Sequence, residues 1–160
     1  EIMSEIKIRK FNDEDLNLFI KWLNKDHVKK WYEQPESWIE EITKCNNKYQ
    51  WINHFIVTNE DEPIGFCQYY DCFNAKDLED WYEVKKPNTM FSIDYLIGEE
   101  QYLGKGYGKE IVKSITELIK KNHSGQIVVQ PDKENLHSCK ALLANGYVYD
   151  EKWKYYYLNI

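Results

Sequence analysis

A mixed α/β fold in a single domain is predicted by three features of this 160-residue chain. Residues 92–109 pass from a β-type run through a glycine-rich turn into an amphipathic helix. Residues 50–70 hold two β-type runs joined by the polar turn Asn59-Glu60-Asp61-Glu62, the pattern of an antiparallel hairpin. Residues 126–158 then read as strand, helix and a closing pair of strands. Interleaved periods of two and 3.6 residues place strands and helices around one core, with the glycine turn near its centre.

The elements follow in order. Ile6 and Ile8 alternate with Lys7 and Arg9, as a short first strand would. Asn12 caps a helix with Asp13, Glu14 and Asp15 in its first turn, and Leu16, Phe19, Ile20 and Leu23 form its apolar stripe. Residues 26–32 read as a short helix or turn ending in Trp31 and Tyr32. Pro35 starts another helix, with Trp38, Ile39 and Ile42 on one face. A strand is expected over 50–59 and its partner over 64–70. Residues 71–89 make a long polar connection carrying Trp81 and Tyr82 among Asp77, Glu79, Asp80 and Glu83. A connection of that length with two bulky aromatics reads as functional. The central strand covers 90–98, and Ile111, Val112, Ile115, Leu118 and Ile119 mark the following helix. Residues 126–130 are a buried-type strand stopped by Pro131, and 134–145 a helix closed by Gly146. Residues 147–149 and 153–158 form the last hairpin.

Composition narrows the function. The net charge of −6 argues against a general nucleic-acid binder, which needs a basic face, and favours a cationic partner. Aromatic residues make up 16% of the chain, with 13 Tyr and 6 Trp, and such side chains build walls for flat ligands as well as cores. Cys45, Cys67, Cys72 and Cys139 are scattered, with no Cys-x-x-Cys or His cluster beside them, so they read as reduced thiols of a cytoplasmic protein and no metal site is expected. No run of about 18 apolar residues is present, and no membrane association is expected.

The turn Gln101-Tyr102-Leu103-Gly104-Lys105-Gly106-Tyr107-Gly108-Lys109 is the strongest chemical signal. A strand, a glycine turn and a helix start make an anion site, because the first helical N–H groups have no partner and carry the positive end of the helix dipole. The dinucleotide pattern Gly-x-Gly-x-x-Gly fails, since Lys109 stands at its last position. The nucleoside-triphosphate loop fails too, since Gly98 and Gly104 have the wrong spacing and Lys105 is followed by Gly106. A glycine-rich helix start that binds nothing is the remaining alternative. Gln-x-x-Gly-x-Gly followed by a further Gly resembles the coenzyme A pyrophosphate loop of the GNAT acyltransferase superfamily.

More narrowly, the whole chain resembles the aminoglycoside 6′-N-acetyltransferases. Trp22-Leu23-Asn24 with His27, Trp31 and Tyr32 is similar to that group's N-terminal signature. Glu62-Pro63-Ile64-Gly65-Phe66 with Gln68 and Tyr70 resembles its hairpin, and Ile93-Asp94 its acid strand. Pro131-Asp132, Asn135-Leu136, Ser138 and Gly146-Tyr147 resemble its last strand–helix unit. The resemblance implies a mostly antiparallel central sheet splayed at an acetyl-CoA slot, with helices on both faces. It implies acetyl transfer from acetyl-CoA, as cosubstrate, to a small-molecule amine, a polycationic aminoglycoside. It places the pyrophosphate on the loop from Gln101 to Lys109 and the pantetheine arm beside Tyr95, Leu96 and Ile97, with Asn135 and Ser138 on the far wall. An acceptor other than an aminoglycoside (a protein N-terminus, a polyamine or a siderophore precursor) is the second reading, and a GNAT module that binds coenzyme A without turnover the third. The protein is expected as a monomer or homodimer.

Within that frame each residue has a chemical expectation. An amine must lose a proton before it attacks, and Asp94 is expected to hold the ammonium and take that proton. The alternative for an acid in an apolar strand is a hydrogen-bonded structural role. Leu96 is expected to offer its backbone N–H to the thioester carbonyl. The tyrosine that many such enzymes place seven residues after the Asn, to protonate the thiolate, is Leu142 in this chain, and Tyr147 is a substitute by residue type alone. Tyr32, Trp81 and Tyr82 are expected as acceptor walls and Glu79, Asp80 and Asp132 as its anionic contacts, with Gln130 standing where relatives have an Asp. His27 and His54 are expected to be structural rather than bases.

Overall fold

The computed structural model describes residues 5–46, 48–76 and 84–160. Its elements are β1 (Ile6–Lys10), α1 (Leu16–Leu23), α2 (Asp26–Lys29), α3 (Pro35–Thr43), β2 (Ile52–Asn59), β3 (Glu62–Asp71), β4 (Met90–Ile97), α4 (Tyr107–Asn122), β5 (Gln126–Val129), α5 (Leu136–Ala144), β6 (Val148–Asp150) and β7 (Tyr155–Asn159). Short 3₁₀ turns at Asp13–Asp15 and Glu100–Tyr102 precede α1 and α4.

Boundaries move where a side chain competes for the backbone. Asn12 and Asp15 cap each other's amides, which tightens the first turn to 3₁₀ before α1 begins. Asp15 is buried, and the Arg9 guanidinium grips it through two bonds of 2.8 and 2.9 Å. Strand β2 starts at Ile52 because residues 48–51 turn through Tyr49 N–H to Lys44 O and Ile52 N–H to Tyr49 O. Helix α5 begins at Leu136, since Asn135 caps it by accepting from Ser138 N–H, while Asp132 accepts from Glu134 N–H.

Among the described residues the strands form one seven-stranded sheet in the order β1-β2-β3-β4-β5-β7-β6. Every neighbouring pair is antiparallel except β4 and β5. The last strand in sequence, β7, lies inside the sheet between β5 and β6. Helices cover both faces, as expected. On one, Ile111, Val112, Ile115 and Ile119 of α4 pack with Leu142 of α5 against Cys67, Phe91 and Ile93. On the other, Phe19, Trp22 and Leu23 of α1 pack with Val28 and Ile42 against Ile56, Phe66 and Leu96. The four cysteines are free thiols. No described helix is long and apolar enough to cross a membrane.

The long connection is tied at its base. The Asp71 carboxylate accepts from Phe73 N–H at 3.0 Å and from Asn88 N–H at 2.8 Å, which closes the two ends on each other. Glu79, Asp80, Trp81 and Tyr82, with Asp77 and Glu83, lie outside the described residues.

Helix α1 is docked by a glycine. A Cβ built on Gly98 would lie 2.1 Å from the Trp22 ring, and that ring is fully buried. Trp22 also donates its indole N–H to Glu99 at 2.7 Å, and Lys25 pairs with the same carboxylate at 3.4 Å. The Gly98→Ala variant therefore forces apart two elements that cannot yield. We expect a loss of about 3 kcal/mol in urea unfolding, with an unchanged far-ultraviolet spectrum below the transition; a loss under 1 kcal/mol would show the contact to be soft.

Candidate active site

The glycine loop leads into α4 with its amides uncapped by any side chain. Gly104 and Gly106 hold positive φ of 71° and 86°, and Gly106 is the N-cap of the 16-residue helix α4. Left-handed backbone at both positions favours glycine and turns successive N–H groups outward. Gln101, Leu103, Lys105 and Lys109 are exposed around it, while Tyr102 and Tyr107 pack edge to face at 5.1 Å and brace the turn from below.

Beside the loop, the sheet opens. Strands β4 and β5 pair only at Met90–Gln126 and Phe91–Ile127, after which they part. A cavity of about 200 Å³ lies in the gap, lined by Tyr32, Asp94, Tyr95, Asp132, Asn135 and Ser138 among others. Backbone alternation decides which groups face it. Cys72 N–H bonds Met90 O and Gly98 N–H bonds Ile64 O, so even-numbered residues of β4 point their amides at β3. Gln126 N–H bonds Thr89 O, so odd-numbered residues point at the gap. This corrects one expectation: the Leu96 amide is spent on β3 and its side chain lies in the core, so the amides facing the slot are those of Tyr95 and Ile97. Two carbonyls on that edge already have partners. Tyr32 Oη donates to Tyr95 O, and His27 Nε2–H donates to Ile97 O at 2.9 Å.

Asp94 stands at the end of a cross-strand row. His54, Gln68 and Asp94 are register partners on β2, β3 and β4. Gln68 donates Nε2–H to Asp94 Oδ2 at 3.0 Å, while its own Oε1 makes no hydrogen bond. Burial, followed by the nearby Asp94 carboxylate, pushes the Tyr32 hydroxyl well above its usual value and keeps it a neutral phenol. Asp94 and Tyr70 also line a second cavity of about 90 Å³ on the α3 side, with Trp38, Glu41, Trp51 and Gln68. The slot and this smaller cavity thus meet at one carboxylate. Among the described residues no cluster of His, Cys, Asp or Glu is arranged to hold a metal ion.

The family model for the acetyltransferase (GNAT) domain matches residues 12–155. The chain belongs to the GNAT acetyltransferase family. It is similar to "Aminoglycoside N(6′)-acetyltransferase type 1" of Klebsiella pneumoniae, at 24% identity over 150 residues, covering 89% of this chain and 73% of that protein. Among solved structures, AAC(6′)-Ib with kanamycin and coenzyme A superposes with a TM-score of 0.81 at 21% identity, covering 97% of this chain and 95% of that one. AAC(6′)-Ib with Parmomycin and AcetylCoA gives 0.83 at 20% identity, covering 98% and 94%.

This GNAT domain departs from the pattern of its superfamily at the thiolate side. Leu142 is fully buried among α4 residues and does not line the slot. Tyr147 is no substitute, since its hydroxyl is buried against Thr116 Oγ1 at 2.8 Å and pushed up to about 12 by burial. Gln130 lines the slot but sends its Nε2–H to Lys154 O. Neither His27 nor His54 lines the slot. Gln68 stood in the hairpin piece of the family resemblance, but its pairing with Asp94 follows only from the strand register.

His54 has its own signature. The ring sits by Phe11 and Phe66, and neither nitrogen makes a hydrogen bond. Burial pushes its pKa down to about 4, only partly offset by the polar neighbours Gln68 and Glu41. Between pH 6.5 and 4 the unfolded chain therefore takes up a proton on His54 that the folded chain refuses, so stability falls as pH drops through that window. The expected loss from this residue is about 3 kcal/mol. Urea titrations from pH 7 to 4 should show that extra slope in the wild type and its absence in His54→Phe; parallel profiles for the two would refute it.

Proposed function

We propose that this GNAT domain is an enzyme transferring the acetyl group of acetyl-CoA to a primary amine, the 6′-amine of an aminoglycoside. The observation that carries the reading is Asp94, set where the slot between β4 and β5 meets the smaller cavity. The bare amides after Gly104 suit a pyrophosphate, and the open edge of β4 suits an extended amide-bearing chain such as pantetheine. The similarity to aminoglycoside acetyltransferases supports the acceptor class.

On this reading Asp94 attracts the ammonium and accepts its proton, directly or through water. The freed nitrogen attacks the thioester carbon, a C–N bond forms, and the C–S bond breaks to release the thiolate. Amides of Tyr95 and Ile97 face the place where negative charge develops on the carbonyl oxygen. Gln68 Nε2–H holds one oxygen of the Asp94 carboxylate and so orients the group. Asp132 lines the slot and adds negative charge toward a polycation, as Glu79, Asp80, Trp81 and Tyr82 are proposed to do from the loop.

Thiol release from acetyl-CoA, followed across kanamycin, tobramycin, spermidine and an N-terminal peptide, tests the acceptor. Turnover with the two drugs and not with the others is expected. Turnover confined to the peptide or the polyamine would move the acceptor class, and coenzyme binding without any turnover would favour a non-catalytic module. Asp94→Asn should lower kcat at least 100-fold while coenzyme affinity stays within twofold. Separately, Gly106→Ala places a Cβ on left-handed backbone at the α4 cap, costing about 1 kcal/mol. It should raise KM for acetyl-CoA several-fold and leave the amine's KM alone, read in the same thiol assay.

A further inference from the structure

Behind Asp94 the sheet buries two more polar side chains. Gln68 is 2% exposed and His54 8%, and the two are register partners on β3 and β2. Three of their atoms, Gln68 Oε1 and both ring nitrogens of His54, are buried and make no hydrogen bond. Such groups cost stability unless they meet a complement, so an apolar pair would fill this place at lower cost. Phe11 and Phe66 wall the ring at 6.4 and 5.9 Å, and its polar neighbours are Gln68 and the Glu41 backbone. Gln68 acts on the ring more strongly than Glu41 does. It favours the protonated imidazole, as an amide does when its oxygen is turned toward the ring.

The two ends of one amide thus face the outer members of the row. Gln68 Nε2–H is given to Asp94 Oδ2 at 3.0 Å, and Oε1 lies toward the imidazole. Both ends of an amide have nearly the same shape, so their partners decide which end goes where. An ionised Asp94 selects Nε2. A protonated Asp94 does not, because its O–H can be given to Oε1 of the turned amide. Directly opposed side chains on neighbouring strands stand about 5 Å apart at Cβ, which brings a ring N–H and an amide oxygen together by a side-chain rotation. A neutral imidazole has one N–H to give.

We propose that His54 is a positioning residue for Asp94: its ring N–H holds Gln68 Oε1, which keeps the amide's Nε2–H on the carboxylate through the acid's change of protonation state. The proposal rests on the acetyl-transfer reading, in which Asp94 takes the ammonium proton, and adds a residue that acts on this acid at one remove. When Asp94 sheds its proton between turnovers, the donor for its anion is already in place. Burial keeps His54 neutral, so it orients without adding charge. The other titratable groups lining the two cavities at Asp94 are Tyr32, Tyr70 and Tyr95, with Asp132 in the slot and Glu41 in the smaller cavity. Substitutions at His54 and Gln68 leave all five in place, so a moved Asp94 titration reads the row.

The test is the pH dependence of kcat with kanamycin and acetyl-CoA for wild type, His54→Phe, Gln68→Met and the double variant, with thermal melts of each. His54→Phe should lower kcat about fivefold, the worth of one hydrogen bond, while KM for acetyl-CoA stays within about twofold. The acid limb should move to higher pH, because the anion loses its fixed donor. In the Gln68→Met background the same substitution should do nothing further. An unchanged kcat and acid limb in His54→Phe, or an equal penalty in both backgrounds, overturns the proposal. Should Gln68→Met not fold, His54→Gln decides: its amide N–H should recover kcat to within about twofold of wild type, and anything slower overturns the proposal. Should the wild type acetylate no amine, the acetyl-transfer reading falls. The carbon-13 titration of the Asp94 carboxyl, assigned by its absence in Asp94→Asn, then judges the row alone. A higher midpoint in His54→Phe than in wild type upholds the positioning role; an equal or lower one overturns it.

Discussion

The parting of β4 from β5 after Phe91 is the constraint on which the rest depends. A strand inside a sheet must satisfy N–H and C=O groups on both edges, and leaving them unpaired in a buried position costs on the order of 1–3 kcal/mol each. On the β3 side the register of β4 runs unbroken from Asp71–Phe91 to Gly65–Ile97. On the other side the sheet supplies nothing beyond Phe91, and the N-terminal segment supplies part of the replacement. Three contacts run in series along the strand: Trp22 and Lys25 with Glu99, His27 with Ile97, and Tyr32 with Tyr95. Residues that look like an arbitrary N-terminal signature thus form a strap along one strand. Its two ends meet that strand at Gly98, where only a missing Cβ lets an indole lie flat, and at the mouth of the slot.

The same opening explains how a carboxylate is kept within an apolar strand. Leu96, Phe66 and Ile56 continue the face on which Asp94 lies, and a charge placed further along would be buried without relief. At position 94 the helical layer gives way to two cavities, and the strand neighbour Gln68 offers a neutral donor. A neutral partner fixes a carboxylate without quenching it, whereas a lysine or arginine would neutralise it and block its use as a base. His54, next in the row, is itself held neutral by burial, so no positive charge reaches Asp94 through the sheet.

Much of this was readable in the chain. Strict alternation fixed Ile6–Lys10, and the polar turn at 59–62 fixed the hairpin, because period two and turn chemistry are local properties. The glycine loop was legible since positive φ at Gly104 and Gly106 is a single-residue requirement. What escaped reading was non-local. The orientation of the Leu96 amide depends on which edge β3 takes, a fact fixed by the register of a strand some thirty residues earlier. The pairing of Gln68 with Asp94 has the same origin. The burial of Leu142 and Tyr147 follows from how α5 lies on α4, which the composition of neither helix specifies. Glu41 and Trp51 line one cavity with Asp94 although no spacing rule links the three positions.

A leucine rather than a tyrosine at position 142 bears unequally on the two halves of an acetyl transfer. A simple thiol titrates near pH 8.5, whereas the ammonium form of an alkylamine titrates near 10.4. In a tetrahedral adduct carrying both, the sulfur leaves as a reasonably stable anion, while the nitrogen leaves only if it retains its extra proton. On the proposed mechanism, removing that proton through Asp94 would commit the adduct to C–S cleavage, and an acid at the sulfur would add only to a step already favoured. The demanding half is the first one: stripping a proton from an amine about six pKa units more basic than a free carboxylate. A site built for that half needs an anion fixed beside the attacking nitrogen. With Leu142 given over to the core, the polar construction around Asp94 on β3, β4 and α3 is where such catalysis would have to reside.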